Sequence, residues 1–200
     1  MRKLIARVFD YSLDGLVADE GTEYFTFCRD LPDDTAQLDR TADLYERAYA
    51  HIMGRAVYED MAGYFPTATG HPYADTMNAA RKVVFSRTLK TAGWANTTIA
   101  AGDTFEEIDK LRRGGDGHII VSGGVSFWRS LLRLDLIDEL RVTLLPYLAG
   151  EGTRLFEDVG KSRQLDPVSS IACSNGTIEL EYRRHRGQHR SHRVINDHQE

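Results

Sequence analysis

Apolar residues in this chain fall into short unbroken runs separated by amphipathic stretches. Residues 3–9, KLIARVF, are rich in β-formers and predict a first strand, after which Asp14-Gly15 turns the chain. Asp34 and Gln37 are spaced as a capping box, and Leu38, Ala42, Tyr45, Tyr49 and Ile52 then recur at helical intervals. HIMG predicts a short strand ending at Gly54, and RAVYEDM opens a second helix. A loop with Pro66, Gly70 and Pro72 leads through a further short helix to the strand KVVFS, and NTTIAA reads as another strand. Thr104 and Glu107 form a second capping box before a helix striped by Phe105, Ile108 and Leu111. GGDG then turns into the strand HIIVS, and LIDELRVTLLPYLAG predicts a long strand stopped at Pro146. Asn175-Gly176 signals a two-residue hairpin that puts Ile178, Leu180 and Tyr182 on one face and Glu179, Glu181 and Arg183 on the other.

Strands alternating with helices over the first 135 residues predict an α/β fold. The sheet should be largely parallel and covered on both faces, with the terminal hairpin adding antiparallel strands at an edge. Residues 1–183 read as one domain and 184–200 as a basic polar tail, in which His185, His189 and His192 are solvated rather than metal ligands. Five arginines against Asp197 and Glu200 give residues 183–200 a charge of +3. That leaves −8 on the other 182 residues of a chain whose net charge is −5. An acidic body excludes a general nucleic-acid binder. Arg7 and Asp10 interrupt the first apolar run, so it is neither a signal peptide nor a membrane span. Cys28 and Cys173, the two cysteines, have no metal or disulfide spacing, and the cytoplasm is the expected compartment.

Candidate chemistry begins at HIIVSGGVSFWRSLL, residues 118–132, where an apolar strand runs through Ser122, Gly123 and Gly124 into a helix. Such a helix start leaves backbone N–H groups unpaired, and glycine lets a ligand approach the main chain. Ser126 is placed to cap the helix, whose N-terminus suits a phosphate. Alone, Gly-Gly is more often a tight turn without a ligand, and neither the six-residue dinucleotide fingerprint nor a Walker loop is present. Two other strand ends carry the same logic: Gly54-Arg55 in HIMGRAVYE and Ser86-Arg87 in KVVFSRTL. Ligands of open α/β sheets bind beyond the carboxyl ends of the strands. Two guanidiniums, a hydroxyl and a glycine nest there suit a phosphate-rich dinucleotide, and NADPH over NADH.

SLDG, IMGRAVYE, VVFSR, IIVSGG and LIDELRVTLLPYLAGEGTRLF occur here in an order that resembles the dihydrofolate-reductase-like superfamily. Within it the chain is similar to stand-alone bacterial relatives of the reductase domain of the bifunctional riboflavin-biosynthesis deaminase-reductase, over about residues 3–183. The resemblance implies a three-layer α/β/α fold, NADPH as cofactor and a homodimer. It also implies hydride transfer to a small heterocyclic or sugar-derived substrate such as 5-amino-6-(5-phosphoribosylamino)uracil. By the same resemblance Gly54, Arg55 and Ala56 would hold cofactor phosphates, and Ser86 and Arg87 the adenosine 2′-phosphate. Ser122, Gly123, Gly124, Val125, Ser126 and Phe127 would line the pyrophosphate and nicotinamide, with Ala6 and Leu16 flanking the ring. Asp14 would touch substrate or order its loop, and Glu23 is the nearest counterpart of a substrate-binding carboxylate. The chain departs from dihydrofolate reductases at Val57, where a threonine is usual, and lacks their proline-tryptophan pair and any deaminase zinc signature. Two other readings stay open: a catalytically idle nucleotide-binding protein on the same fold, and a dihydrofolate reductase. The expected partners are a small-molecule substrate and a second copy of the chain, with no membrane and no nucleic acid.

Overall fold

Ile119, Ile120 and Val121 are consecutive and all fully buried, so the strand that carries them must be covered on both faces. The computed structural model, which describes residues 1–185, shows what covers it. β1 (Leu4–Ser12), β2 (Ala48–Gly54), β3 (Lys82–Phe85), β4 (Thr97–Ala100), β5 (His118–Val121) and β6 (Glu139–Leu145) run parallel. β7 (Leu165–Ala172) and β8 (Ile178–Arg184) join antiparallel beside β6, giving the order β4-β3-β2-β5-β1-β6-β8-β7. The helices are α1 (Glu23–Asp30), α2 (Thr35–Glu46), α3 (Arg55–Tyr64), α4 (Ala74–Ala79), α5 (Thr104–Arg112) and α6 (Val125–Arg133). Among the described residues no helix is long and apolar enough to cross a membrane.

Alternate strand residues sort to opposite faces. Leu4, Ala6, Val8, Ile52, Val83, Ile119 and Val121 pack with Ile108 and Leu111 of α5 and with Trp128 and Leu131 of α6. Ile5, Met53, Val84 and Ile120 pack on the other face with Leu44 and Tyr45 of α2, Tyr58 of α3 and Met77 of α4. Full burial of one such side chain contributes about 1.5–3 kcal/mol, so these two layers outweigh local propensity. That outcome is visible at Tyr49 and Ile52, which fit a helical period yet lie in β2. The helix stops at Glu46, where the Arg47 N–H donates to the carbonyls of Asp43 and Tyr45.

Three local details differ from expectation. Asp103, not Thr104, caps α5, its Oδ1 accepting from the N–H groups of Phe105 and Glu106. The hairpin loop is longer than two residues, because only Gly176 takes a positive φ (+84°) while its N–H donates to the Cys173 carbonyl. Asn175 instead uses its side-chain carbonyl to accept from the Thr177 N–H and hydroxyl, which gives a type I turn with a glycine bulge. Arg184 belongs to β8: its N–H donates to the Asp138 carbonyl, and its guanidinium lies 3.0 Å from Asp138 Oδ1. His185 follows, paired with Asp166 at 2.7 Å, while the rest of the expected tail, with His189 and His192, lies outside the described residues.

One polar network crosses the sheet on the α2 side. Arg7 of β1 is buried and donates to Thr143 Oγ1 of β6 (2.8 Å) and to Glu179 Oε1 of β8 (3.1 Å). Arg40 of α2 donates to the other oxygen of Glu179 at 2.6 Å. Removing one partner of a buried pair leaves an uncompensated charge. Glu179→Ala is therefore expected to lower stability by about 3–5 kcal/mol, read as a fall in the urea midpoint at unchanged slope. A loss under about 1 kcal/mol would show that water compensates Arg7.

Candidate active site

β2, β3, β4 and β5 end on one rim of the sheet, with Gly54 beside Phe85 and Phe85 beside Ala100. Three helices, α3, α5 and α6, start there. α1, α2 and α5 are capped by the side chains of Thr22, Asp34 and Asp103, whereas α3 and α6 start at Gly54 and Gly124 with no side-chain cap. Their first N–H groups therefore face the rim without a side-chain acceptor. The two starts lie within van der Waals reach of each other's helices. A Cβ on Gly54 would sit 3.4 Å from Phe127 Cβ, and one on Gly123 3.4 Å from Val57 Cγ1. Gly123 (φ +133°) and Gly124 (φ +93°) also occupy backbone conformations that L side chains rarely adopt. Ser126, expected as the cap, is instead the second residue of α6 and is exposed.

Cavities open on either side of this double helix start. One, about 530 Å³, is lined by Phe85, Ser86, Arg87, Asp103, Thr104 and Phe127. Arg87 has no hydrogen bond or ion pair among the described residues, so its guanidinium is available to a ligand. Ser86 is committed to its own turn, its Oγ accepting from the Leu89 N–H at 3.0 Å. The second cavity, about 490 Å³, is lined by Val8, Phe9, Asp10, Val17, Asp19, Asp60 and residues Ser122 to Val125. Together they have the size and the donors for a dinucleotide with its phosphates between α3 and α6. A third cavity of about 140 Å³, lined by Cys28, Leu31, Asp33, Tyr73 and Thr143, adjoins the second along Arg7, Phe9 and Asp10.

The ridge between these last two cavities is a β-bulge. Val8 pairs with Val142 and Tyr11 with Leu144, so three steps on β1 match two on β6. The bulge turns Phe9 and Asp10 out of the ladder, and the Phe9 ring lies 4.4 Å under the Arg7 guanidinium. Asp10 is open to the cavity yet hemmed in by its walls, so desolvation raises its pKa while Arg7 pulls it down. Burial, and then the nearby Asp10, push the Cys28 thiol up to about 12. Sequence reasoning did not single out Phe9 and Asp10, which line both cavities. The available signal was an aspartate that, with Arg7, interrupts an apolar-rich strand and was used only as evidence against a membrane span. Beneath the glycine elbow, burial lowers His51 to about 3, so a neutral ring meets Ser122 Oγ at 2.9 Å.

The remaining expected residues are placed as follows. Arg55 and Ala56 open α3 at the rim, where Arg55 is exposed and 3.5 Å from Glu59, and neither lines the cavities. Ala6 and Leu16 are buried and reach neither cavity; Val8 and Val17 do. Glu23 is exposed at the first turn of α1, where a carboxylate complements the helix dipole, and lines no described cavity. Asp14 is a loop tie. It accepts from the Ser12 hydroxyl (2.6 Å) and from the N–H groups of Ala149 (3.0 Å) and Gly150 (2.7 Å). Asp19 does the same for the Thr153 N–H at 2.9 Å, so two carboxylates stitch the loop after β1 to the loop after β6.

Fold and family follow. The sheet order and helix layers are those of the dihydrofolate-reductase-like fold. The chain is similar to dihydrofolate reductase from Enterococcus faecalis complexed with NADP(H) and RAB-propyl, with TM-score 0.59 at 16% identity over 91% of this chain and 96% of that one. It belongs to the RibD C-terminal domain family, a family of reductase-like domains whose model matches residues 2–178. A protein from Shewanella sp. PV-4, assigned by name to riboflavin biosynthesis, is similar with TM-score 0.73 at 25% identity over 92% of this chain and 99% of that one. The diaminohydroxyphosphoribosylaminopyrimidine deaminase/5-amino-6-(5-phosphoribosylamino)uracil reductase of Thermotoga maritima shares the fold, with TM-score 0.63 at 16% identity over 92% of this chain and 56% of that one. Among curated proteins, the uncharacterized YyaP of Bacillus subtilis strain 168 is 33% identical over 107 residues. That match spans 53% of this chain and 56% of YyaP.

The ties at Asp14 hold its carboxyl down to about 2, the Ser12 hydroxyl contributing most. A depressed carboxylate stabilises above its unfolded value near 3.8, and the contribution is lost as pH falls through the folded value. The Ala149 and Gly150 amide resonances are therefore expected to shift with a midpoint near pH 2. A midpoint at the ordinary carboxylate value would mean that the loop tie is not formed in solution.

Proposed function

We propose that the chain is an NADPH-dependent reductase that transfers hydride to the C=N or C=O carbon of a small heterocyclic or sugar-derived substrate, of the kind represented by 5-amino-6-(5-phosphoribosylamino)uracil. The observation that carries this reading is the pair of helix starts without a side-chain cap, Gly54 and Gly124, adjacent at the rim between two cavities. The Thermotoga maritima relative is by name a reductase of that pyrimidine, which supports the same choice. In this reading the N–H groups of Arg55, Ala56, Val125 and Ser126 hold the pyrophosphate. Arg87, with Ser86 and Phe127, holds the adenosine end and its 2′-phosphate. Ser122, Gly123 and Gly124 face the nicotinamide end, with Val8 and Val17 as its apolar wall and Ala6 and Leu16 buried behind them.

Electrostatics sets the polarity of the ligand. Asp10, Asp19 and Asp60 line the second cavity with Arg7, and this acidic balance suits an uncharged or cationic ring there. The free guanidinium of Arg87 lies in the other cavity, where a phosphate is welcome. When bound, the nicotinamide supplies the hydride; the chain's contribution is to orient it, exclude water and place the acceptor over Phe9.

A charge-assisted hydrogen bond contributes about 1.5–3 kcal/mol, and 1.4 kcal/mol is tenfold in affinity. Fluorescence titration is expected to show Arg87→Ala weakening NADPH tenfold or more and NADH less than threefold. Equal losses for the two cofactors contradict the phosphate role. Loss of nicotinamide absorbance with 5-amino-6-(5-phosphoribosylamino)uracil, a dihydropterin or an aldehyde then identifies turnover. Tight NADPH binding without turnover on any of them favours an idle nucleotide-binding protein.

A further inference from the structure

We propose that Asp10, set on the β1 bulge at the seam of two cavities, is the acid that protonates the substrate heteroatom. The inference rests on the reductase reading above and adds the group that completes its chemistry. Hydride addition to a C=N or C=O carbon breaks the π bond and leaves its electron pair on the heteroatom. That atom then needs a proton. The Asp10 carboxyl gives it: the acid O–H bond breaks as the new N–H or O–H bond forms, and water reprotonates the carboxylate. The two electrons arrive with the hydride of NADPH, which is oxidised to NADP⁺.

The geometry selects Asp10 among the carboxylates of the cleft. Asp14 and Asp19 are spent on loop N–H groups, and Asp34 on Gln37 and Ser174. Asp33 and Asp60 each line one of the two cavities, whereas Asp10 lines both. Asp10 has no hydrogen bond or ion pair among the described residues, and its exposed side lines both cavities. A regular strand would bury one of two successive residues in the sheet face. The bulge presents both Phe9 and Asp10 to the cavities.

The charged and titratable groups around it come from every neighbouring element. Arg7 on β1 is the cation, but Thr143 and Glu179 already hold its guanidinium. Tyr24 and Cys28 face Asp10 from α1, and both are pushed towards their neutral forms, chiefly by burial. Asp33 lines the third cavity from the α1–α2 loop, while Asp19 and Asp60 line the second from the loop after β1 and from α3. Neutral walls and surplus carboxylates favour the protonated form of Asp10, and desolvation acts in the same direction. A carboxyl with a raised pKa keeps its proton further towards neutral pH, where a donor is useful.

Two readouts test this in the full chain. Carboxyl ¹³C NMR, with the Asp10 signal assigned by its loss in Asp10→Asn, is expected to show titration above the ordinary carboxylate range. Titration at or below that range overturns the proposal whether or not turnover is seen. With NADPH and 5-amino-6-(5-phosphoribosylamino)uracil, D10N is expected to bind NADPH within threefold of wild type. Its kcat should fall a hundredfold or more, and the decline of kcat at rising pH should disappear. Asp10→Glu, which keeps the acid, should recover part of the rate. Wild-type kcat and pH profile in D10N overturn the proposal and leave the reductase reading intact. Failure of the wild-type chain to bind NADPH sinks the reductase reading, and this proposal with it.

Discussion

The centre of this sheet, buried on both faces, has almost nowhere to put chemistry. Ile5, Ala6, Ile52, Met53, Val83, Val84 and the Ile119–Val121 run fill the two layers between the helices, and a polar group placed among them must find a partner or cost stability. His51 meets Ser122 through Nδ1 while its buried Nε2 has no partner among the described residues, and Lys82 donates its three protons to the carbonyls of Met77, Asn78 and Ala80. The cavities described above therefore open at two kinds of place. One is the rim where parallel strands hand over to helices, and the other is the point where a strand stops obeying its own alternation. The Gly54 and Gly124 helix starts are the first, and the β1 bulge is the second.

These two places explain each other's position. β1 lies between β5 and β6, so its bulge stands beside the glycine elbow that follows β5. The elbow offers backbone donors to an anion, and the bulge offers a carboxyl and an aromatic face to a ring. The Arg7–Glu179–Arg40 network braces the bulge from the α2 side and joins β1 to β8, residues separated by 172 positions in the chain. A valine at position 57 fits the same scheme, since it packs directly against Gly123 and Gly124 and holds α3 to the elbow by contact.

Much of this was legible in the sequence, for identifiable reasons. Runs such as IIV and KVVF announce strands covered on both faces, and the resemblance carried by SLDG, IMGR and IIVSGG pointed to the fold that the structure has. The rim residues Ser86, Arg87 and Ser122 to Phe127 follow from strand ends, which local patterns mark well. What was not legible depends on distant pairing. The bulge exists because β1 and β6 differ by one step between Val8 and Tyr11, and no property of residues 9 and 10 alone shows it. Tyr49 and Ile52 suit either period, and only the burial of β2 between β3 and β5 decides for the strand. Asp14 carries a turn signal, but its acceptor role is set by the amides of Ala149 and Gly150, brought in by the loop after β6.

A crystal structure of the chain with NADPH tests the central claim most directly. The account predicts the pyrophosphate within hydrogen-bond distance of the first-turn N–H groups of α3 and α6, with the adenosine end over Arg87. NADPH bound elsewhere at saturation, with both helix starts bare, would contradict it.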